Sequence, residues 1–130
     1  MANKLLLPQE IETFYIIPAL RRYFANYMKE TGMKQKDIAK ILNINSAAIS
    51  QYSNNKRGNK IDFNEAIIPE IKKSAGEIKD THSYLRETQR ILNIIREKKE
   101  ICRIHKLFSD LPNNCHPEVI GCLPLKRGCI

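Results

Sequence analysis

All four cysteines of this chain lie beyond residue 101, at positions 102, 115, 122 and 129. The order Cys102-x2-His105-x9-Cys115-His116-x5-Cys122 brings thiols and imidazoles within reach of one another. A Cys-x2-His pair at a helix end can present both side chains to one ion. A turn near Pro112 and Pro117 can return Cys115 and Cys122 to the same place. Tetrahedral zinc accepts three thiolates and one imidazole, and an iron–sulfur cluster is held mainly by thiolates and can take a histidine. Cys102, His105, Cys115 and Cys122 are therefore the candidate metal ligands, with Cys129 as a thiolate alternative to His105 and His116 as a bystander. No Cys-x2-Cys pair is present, so redox-active thiols and cysteines without a chemical role stand as alternatives.

A second set of side chains suits recognition. On the segment 46–53, Ser46, Ala47, Ser50 and Gln51 fall on one side, and Ala48, Ile49 and Tyr52 fall on the other. Gln can pair with the adenine N6/N7 edge, Ser can contact either kind of base, and an alanine methyl can meet the thymine methyl. Gln35 is placed to brace on a phosphate. Asn54, Lys56 and Arg57 are expected to clamp the backbone with little sequence preference. The chemistry implied is reading of double-stranded DNA. An enzyme is not expected, because there is no phosphate-cradling glycine motif, oxyanion-type loop or paired-carboxylate arrangement.

The elements that must hold these groups are helical. Residues 9–31 show apolar side chains at three- and four-residue steps. Pro18 should divide or kink that stretch, and Gly32 should stop it. Two short helices follow at about 35–42 and 46–53, with Ile38, Leu42, Ile44 and Ile49 inward. Ala39 sits where the pair crosses closely, and Asn43 stands at the turn, where a positive φ is wanted. Asn45 or Ser46 caps the second helix. A third block, roughly 63–78, can be capped by Asn64 or Asp62, and Pro69 implies a kink or restart within it. A long charged helix from about 81 to 100 carries Ile78, Leu85 and Leu92 at seven-residue spacing, with Thr81, Thr88 and Ile95 between. That seam suits docking on its own domain or pairing of two copies. The predicted organisation is a DNA-binding unit over 1–78, a long helix over 79–100, and an irregular Cys/His tail over 101–130.

Ala39-x3-Asn43-x5-Ile49-Ser-Gln-Tyr52 followed by Lys56-Arg-Gly58 resembles the lambda-repressor-like (Xre/Cro type) transcriptional regulators. The wider layout is similar to a narrower group of prokaryotic regulators, well represented in archaea. Its features stand here as Pro8-Gln-Glu10, Tyr15-x2-Pro18-Ala-Leu-Arg21, Ala47-Ala-Ile-Ser-Gln-Tyr52, Lys56-Arg-Gly58 and the Cys/His segment. The resemblance covers most of residues 8–122. It implies an all-α helix-turn-helix bundle and a metal or cluster centre, without choosing between zinc and iron–sulfur. Lys34 departs from the pattern, standing where Thr or Ser often caps the first helix of the pair.

Composition sets the outer bounds. At 130 residues with 42% hydrophobic side chains, the chain can build a core. No apolar run reaches the ~18 residues a membrane span needs, and the N-terminus does not look like a secretory signal, so a cytoplasmic protein is expected. The net charge of +8 comes from 22 basic and 14 acidic residues. Its excess is concentrated in the half that contains the paired short helices, which favours a polyanionic partner. The leading expectation is a homodimeric, sequence-specific DNA-binding regulator whose tail holds a metal or iron–sulfur centre that senses metal or redox state. The competing expectation is an antitoxin-like interaction module whose tail binds a partner protein.

Overall fold

Pro18 decides how the N-terminal helical stretch is built. It has no amide hydrogen, and its ring crowds the carbonyl four residues earlier. The computed structural model describes residues 5–54, 58–111 and 115. In it the stretch is neither broken nor sharply divided. Helix α1 (Pro8–Ile11) passes into a π turn (Glu12–Ile16), and that turn runs straight into α2 (Ile17–Glu30). The Ile17 amide reaches back five residues to the Glu12 carbonyl. The wider turn takes up the misfit just before the proline, as π turns do.

Helix α2 closes at Gly32, whose φ of 94° suits a residue without a side chain. The amides of Gly32 and Met33 return to the carbonyls of Lys29 and Met28. Then follow α3 (Gln35–Leu42), α4 (Ser46–Ser53), α5 (Ile68–Glu77), α6 (Thr81–Glu97) and α7 (Glu100–Phe108). Every regular element among the described residues is a helix, so the chain is all-α. None of these helices is long and apolar enough to cross a membrane.

Helix α2 is the central post, packed against α3, α4 and α5. Its Leu20, Phe24 and Met28 are fully enclosed. Pro69 enters α5 in its first turn, where a missing amide costs nothing, so the helix restarts there. Ahead of it Asn64 makes a turn of its own, its side chain accepting from the Ala66 amide at 2.8 Å.

Two expectations are corrected. The seven-residue seam of α6 is largely used inside the chain: Tyr84, Thr88, Ile91, Leu92 and Ile95 are buried, whereas Leu85 is 55% exposed. Ile78, the first member of the seam, is the extended C-cap of α5 and lies outside α6, so within the helix only the later members Thr88, Leu92 and Ile95 are buried. The tail beyond residue 100 is also not wholly irregular. Lys99 adopts a left-handed conformation (φ 59°), which ends α6 and aims the chain back as α7. Ile101 and Ile104 enter the same cluster of buried residues as Leu6 and Ile11. The Tyr15 and Phe108 rings stack at 3.9 Å between centroids. The cluster thus spans the expected boundary near residue 78.

Buried carboxylates tie the helices together. Glu87 of α6 is almost enclosed and accepts from Ser74 at 2.8 Å and Arg90 at 3.1 Å. Arg90 also reaches Glu70 at 2.9 Å. Burial would raise the Glu87 carboxyl, but hydrogen bonds from Arg86, Ser74 and Arg90 outweigh it and hold the group below its ordinary value of 4.5. The Glu100 carboxyl is lowered in the same way, with burial overcome by Arg103 and the Asn64 amide. A carboxyl depressed in the folded state adds stability above its unfolded value and loses it as pH falls through the folded one. The urea midpoint should therefore decline once pH drops below about 4.5. Glu87→Gln should shrink that decline while lowering the midpoint at neutral pH. An unchanged acid profile in the variant contradicts the assignment.

Candidate nucleic-acid interface

The chain between α3 and α4 is a three-residue turn, Asn43 to Asn45. Asn43 takes the left-handed conformation (φ 55°, ψ 47°). Asparagine tolerates it better than any residue except glycine. The Ile44 amide then bonds the Ala39 carbonyl at 3.0 Å, which closes the end of α3. Asn45 caps α4, its side-chain oxygen accepting from the Ala48 amide at 2.8 Å. Lys34 begins α3 without a side-chain cap. Ile38, Ala39 and Leu42 of α3 and Ala48, Ile49 and Tyr52 of α4 are buried together, as their spacing implies.

The opposite side of α4 carries Ser46, Ala47, Ser50, Gln51 and Asn54. Ser46, Ala47 and Asn54 are exposed, and Ser50 and Gln51 are half-buried. No charged residue lies within α4. At the end of α2 and along α3, Lys29, Lys34, Lys36 and Lys40 are exposed, as are Glu30 and Asp37. Lys29 of α2 donates to the Ser53 hydroxyl at 3.2 Å, placing a cation at the C-terminal end of α4. Lys56 and Arg57, expected as clamps, lie outside the described residues.

Gln35 is placed differently from expectation. Its side-chain amide donates to the Ser46 carbonyl at 3.0 Å and to the Ser50 hydroxyl at 2.8 Å. Both of its hydrogens are therefore engaged within the pair, and only its acceptor oxygen remains to face outward. A phosphate offers only acceptors, so Gln35 braces α3 against α4 and orients Ser50.

The segment after α4 is held by a residue that sequence reading passed over. Arg22 of α2 donates to the Gly58 carbonyl at 2.8 Å, the Ile61 carbonyl at 3.3 Å and the Asp62 carboxylate at 3.0 Å. Its position inside the Pro18–Arg22 helical turn gives no local sign of this. Gly58 is pressed against α2 and has φ 69°; a Cβ there would stand 2.5 Å from the Pro18 carbonyl oxygen and 3.1 Å from the Arg22 Cβ. Gly58→Ala should cost about 2 kcal/mol, from steric overlap and a strained backbone together. A urea titration reads it directly, and an unchanged midpoint contradicts this placement.

Of the expected metal set, Cys102, His105 and Cys115 are described and Cys122 is not. Among the described residues no group of three or more His, Cys, Asp or Glu side chains is placed to hold a metal ion. His105 is only 4% exposed, and its Nε2 faces the Leu6 carbonyl, so that nitrogen carries the hydrogen and donates it. The neighbouring Ser109 hydroxyl accepts from the Leu6 amide at 2.8 Å. His105 and Ser109 thus fasten the N-terminal segment to α7, which engages the Nε2 side of the His105 ring. Cys102 and Cys115 are free thiols, each partly exposed. Burial, and secondarily the nearby Cys115, push the Cys102 thiol up. Cys122, Cys129 and His116 lie outside the described residues, and His82 is an exposed residue of α6.

No family model, curated protein or solved structure matches this chain. Any functional reading therefore rests on the residues and their arrangement.

Proposed function

We propose that the chain is a sequence-specific DNA-binding regulator that inserts α4 into the major groove. One observation carries this reading. The outward side of α4 is a run of small and hydrogen-bonding side chains free of carboxylates, with Lys29 donating to Ser53 at its C-terminal end. Groove-reading helices need that combination, because acidic residues would be repelled by phosphate while bulky ones would keep the helix out. Ser46, Ala47, Ser50 and Gln51 read base edges. Asn54, Lys29, Lys34 and Lys36 meet the backbone, together with Lys56 and Arg57 from the sequence between α4 and Gly58. Gln35, Ala39, Asn43 and Asn45 set the angle at which α4 is offered. The reading needs no metal or cluster, and His105 is assigned to the core.

The test is selection of duplexes from a random-sequence library by the full chain. The reading expects enrichment of a short motif whose affinity falls steeply with salt, as phosphate neutralisation requires. Uniform, motif-free retention leaves only a basic surface, and no retention at all refutes the proposal.

A further inference from the structure

Helix α6 lies outside the paired short helices in sequence, yet it is tied to both of them. Its first turn is stiffened by a capping box. There the Asp80 carboxylate accepts the Ser83 amide at 2.8 Å, and the Ser83 hydroxyl accepts the Asp80 amide at 3.0 Å. From that turn the Thr81 hydroxyl donates to the Ile41 carbonyl at 3.4 Å, in the last turn of α3. Helices α3 and α6 pack on one another. Tyr84 follows in α6, 8% exposed, its ring edge-on to Phe24 of α2 at 6.4 Å between centroids. Its hydroxyl accepts from Arg21 Nε at 3.3 Å. The hydroxyl of Tyr52, on α4, is a second hydrogen-bond partner of the same half-buried guanidinium. Arg21, on the central post, therefore links α6 to the reading helix.

The link falls where α4 most needs one. Helix α4 has eight residues, about 12 Å of length, and its inward side offers only Ala48, Ile49 and Tyr52. Its N-terminal end is fixed by the Asn45 cap and by Gln35 on the Ser46 carbonyl. In its last turn Tyr52 is the large buried anchor, 3% exposed. A short helix fixed at one end pivots about that end, and any swing of Tyr52 carries Gln51 with it. Recognition tolerates only about 0.5 Å and 10–20° of such error. Burial of the two rings seats them, but the fork of one guanidinium on two hydroxyls sets their relative direction.

Building on the DNA-binding reading, we infer that Arg21 and Tyr84 are positioning residues for base recognition. Tyr84 orients Arg21, Arg21 orients Tyr52, and Tyr52 sets the angle at which Gln51 is offered. Helix α6 then belongs to the reading unit, and a change on it alters base preference while leaving general affinity for DNA in place.

The experiment compares wild type with Tyr84→Phe, Arg21→Lys and the double variant in two measurements. One is affinity for the motif selected by the full chain and for the same bases scrambled. The other is amide hydrogen exchange over residues 46–53 without DNA. Tyr84→Phe keeps the ring and loses only the hydroxyl, and Arg21→Lys keeps the charge but loses the fork. Each should cut the motif preference about five- to tenfold, the scale of one charge-assisted hydrogen bond. Affinity for the scrambled duplex should stay as in wild type, and exchange over 46–53 should quicken while that of α5 does not. The double variant should lose about as much preference as Arg21→Lys alone, because Tyr84 acts through Arg21. A lowered urea midpoint with motif preference unchanged would make the two residues ordinary core contacts and overturn the inference. So would equal weakening on both duplexes, which reports lost folded protein or a lost phosphate contact. Either result, with motif preference intact in wild type, leaves the reading of α4 standing; a wild type without any motif preference removes both.

Discussion

Arg96→Ala is expected to lower stability by about 3 kcal/mol, a large share of what holds a domain of this size together. The reason lies at the π turn. Glu12 begins that turn and is buried, its side chain 8% exposed. Arg96, near the end of α6, forks onto it with Nε and Nη2 at 2.8 and 2.7 Å. The pair joins residues 84 positions apart and closes the bundle between the π turn and α6. Truncating the arginine strands a carboxylate away from water, and such a group costs far more unpaired than the pair contributes when intact. A combined Glu12→Leu and Arg96→Leu change should therefore be less damaging than Arg96→Ala alone. Urea midpoints of the two variants decide the matter. If the double variant is the weaker, Glu12 is not held as described.

The second large effect concerns recognition. Gln51→Ala should cut the preference for the selected motif over unrelated duplex by about ten- to a hundredfold, the usual worth of one bidentate side chain–base pair. Binding to unrelated DNA should change little, because Gln51 carries no charge. Lys56→Ala should do the reverse. It should weaken every duplex to a similar extent and flatten the salt dependence by about one phosphate contact, with the motif preference kept. Gln35→Ala belongs with the first class despite its distance from the bases: it frees Ser50 and removes the brace to the Ser46 carbonyl.

The parts of this molecule that were legible in its sequence are those whose causes are local. Asn43, Asn45 and the inward Ile38, Ala39 and Ile49 act within a few residues of themselves, and the bounds of α3 and α4 came out as their spacing implied. Pro69 and Gly32 punctuate the chain for equally local reasons. The misplaced features all depend on partners far along the chain. Pro18 announces a disturbance, but only packing decides that it becomes a π turn and not a break. The end of α6 near residue 100 was legible, but Lys99 is not a residue type that announces a left-handed corner, so the restart as α7 left no mark. Ile101, Ile104 and Phe108 do carry helical spacing, which the nearby cysteines and prolines obscured. Gln35 looked like a phosphate contact because its outward position was legible, whereas its engagement by Ser46 and Ser50 was not. His105 shared a plausible ligand spacing with Cys102, and only the fold reveals the Leu6 carbonyl waiting for it. The arginines at 22, 90, 96 and 103 have no local pattern to single them out, yet each holds two segments together.

Exposed lysines alone would give only general affinity for DNA, whereas the proposal is that α4 discriminates between sequences. Its most direct test is a paired titration of wild type and Gln51→Ala, each against the selected motif and against the same bases scrambled. The account predicts a preference in wild type that largely disappears in Gln51→Ala, with both proteins binding the scrambled duplex alike. Equal affinity of wild type for the two duplexes, or a preference that survives in Gln51→Ala undiminished, would contradict it.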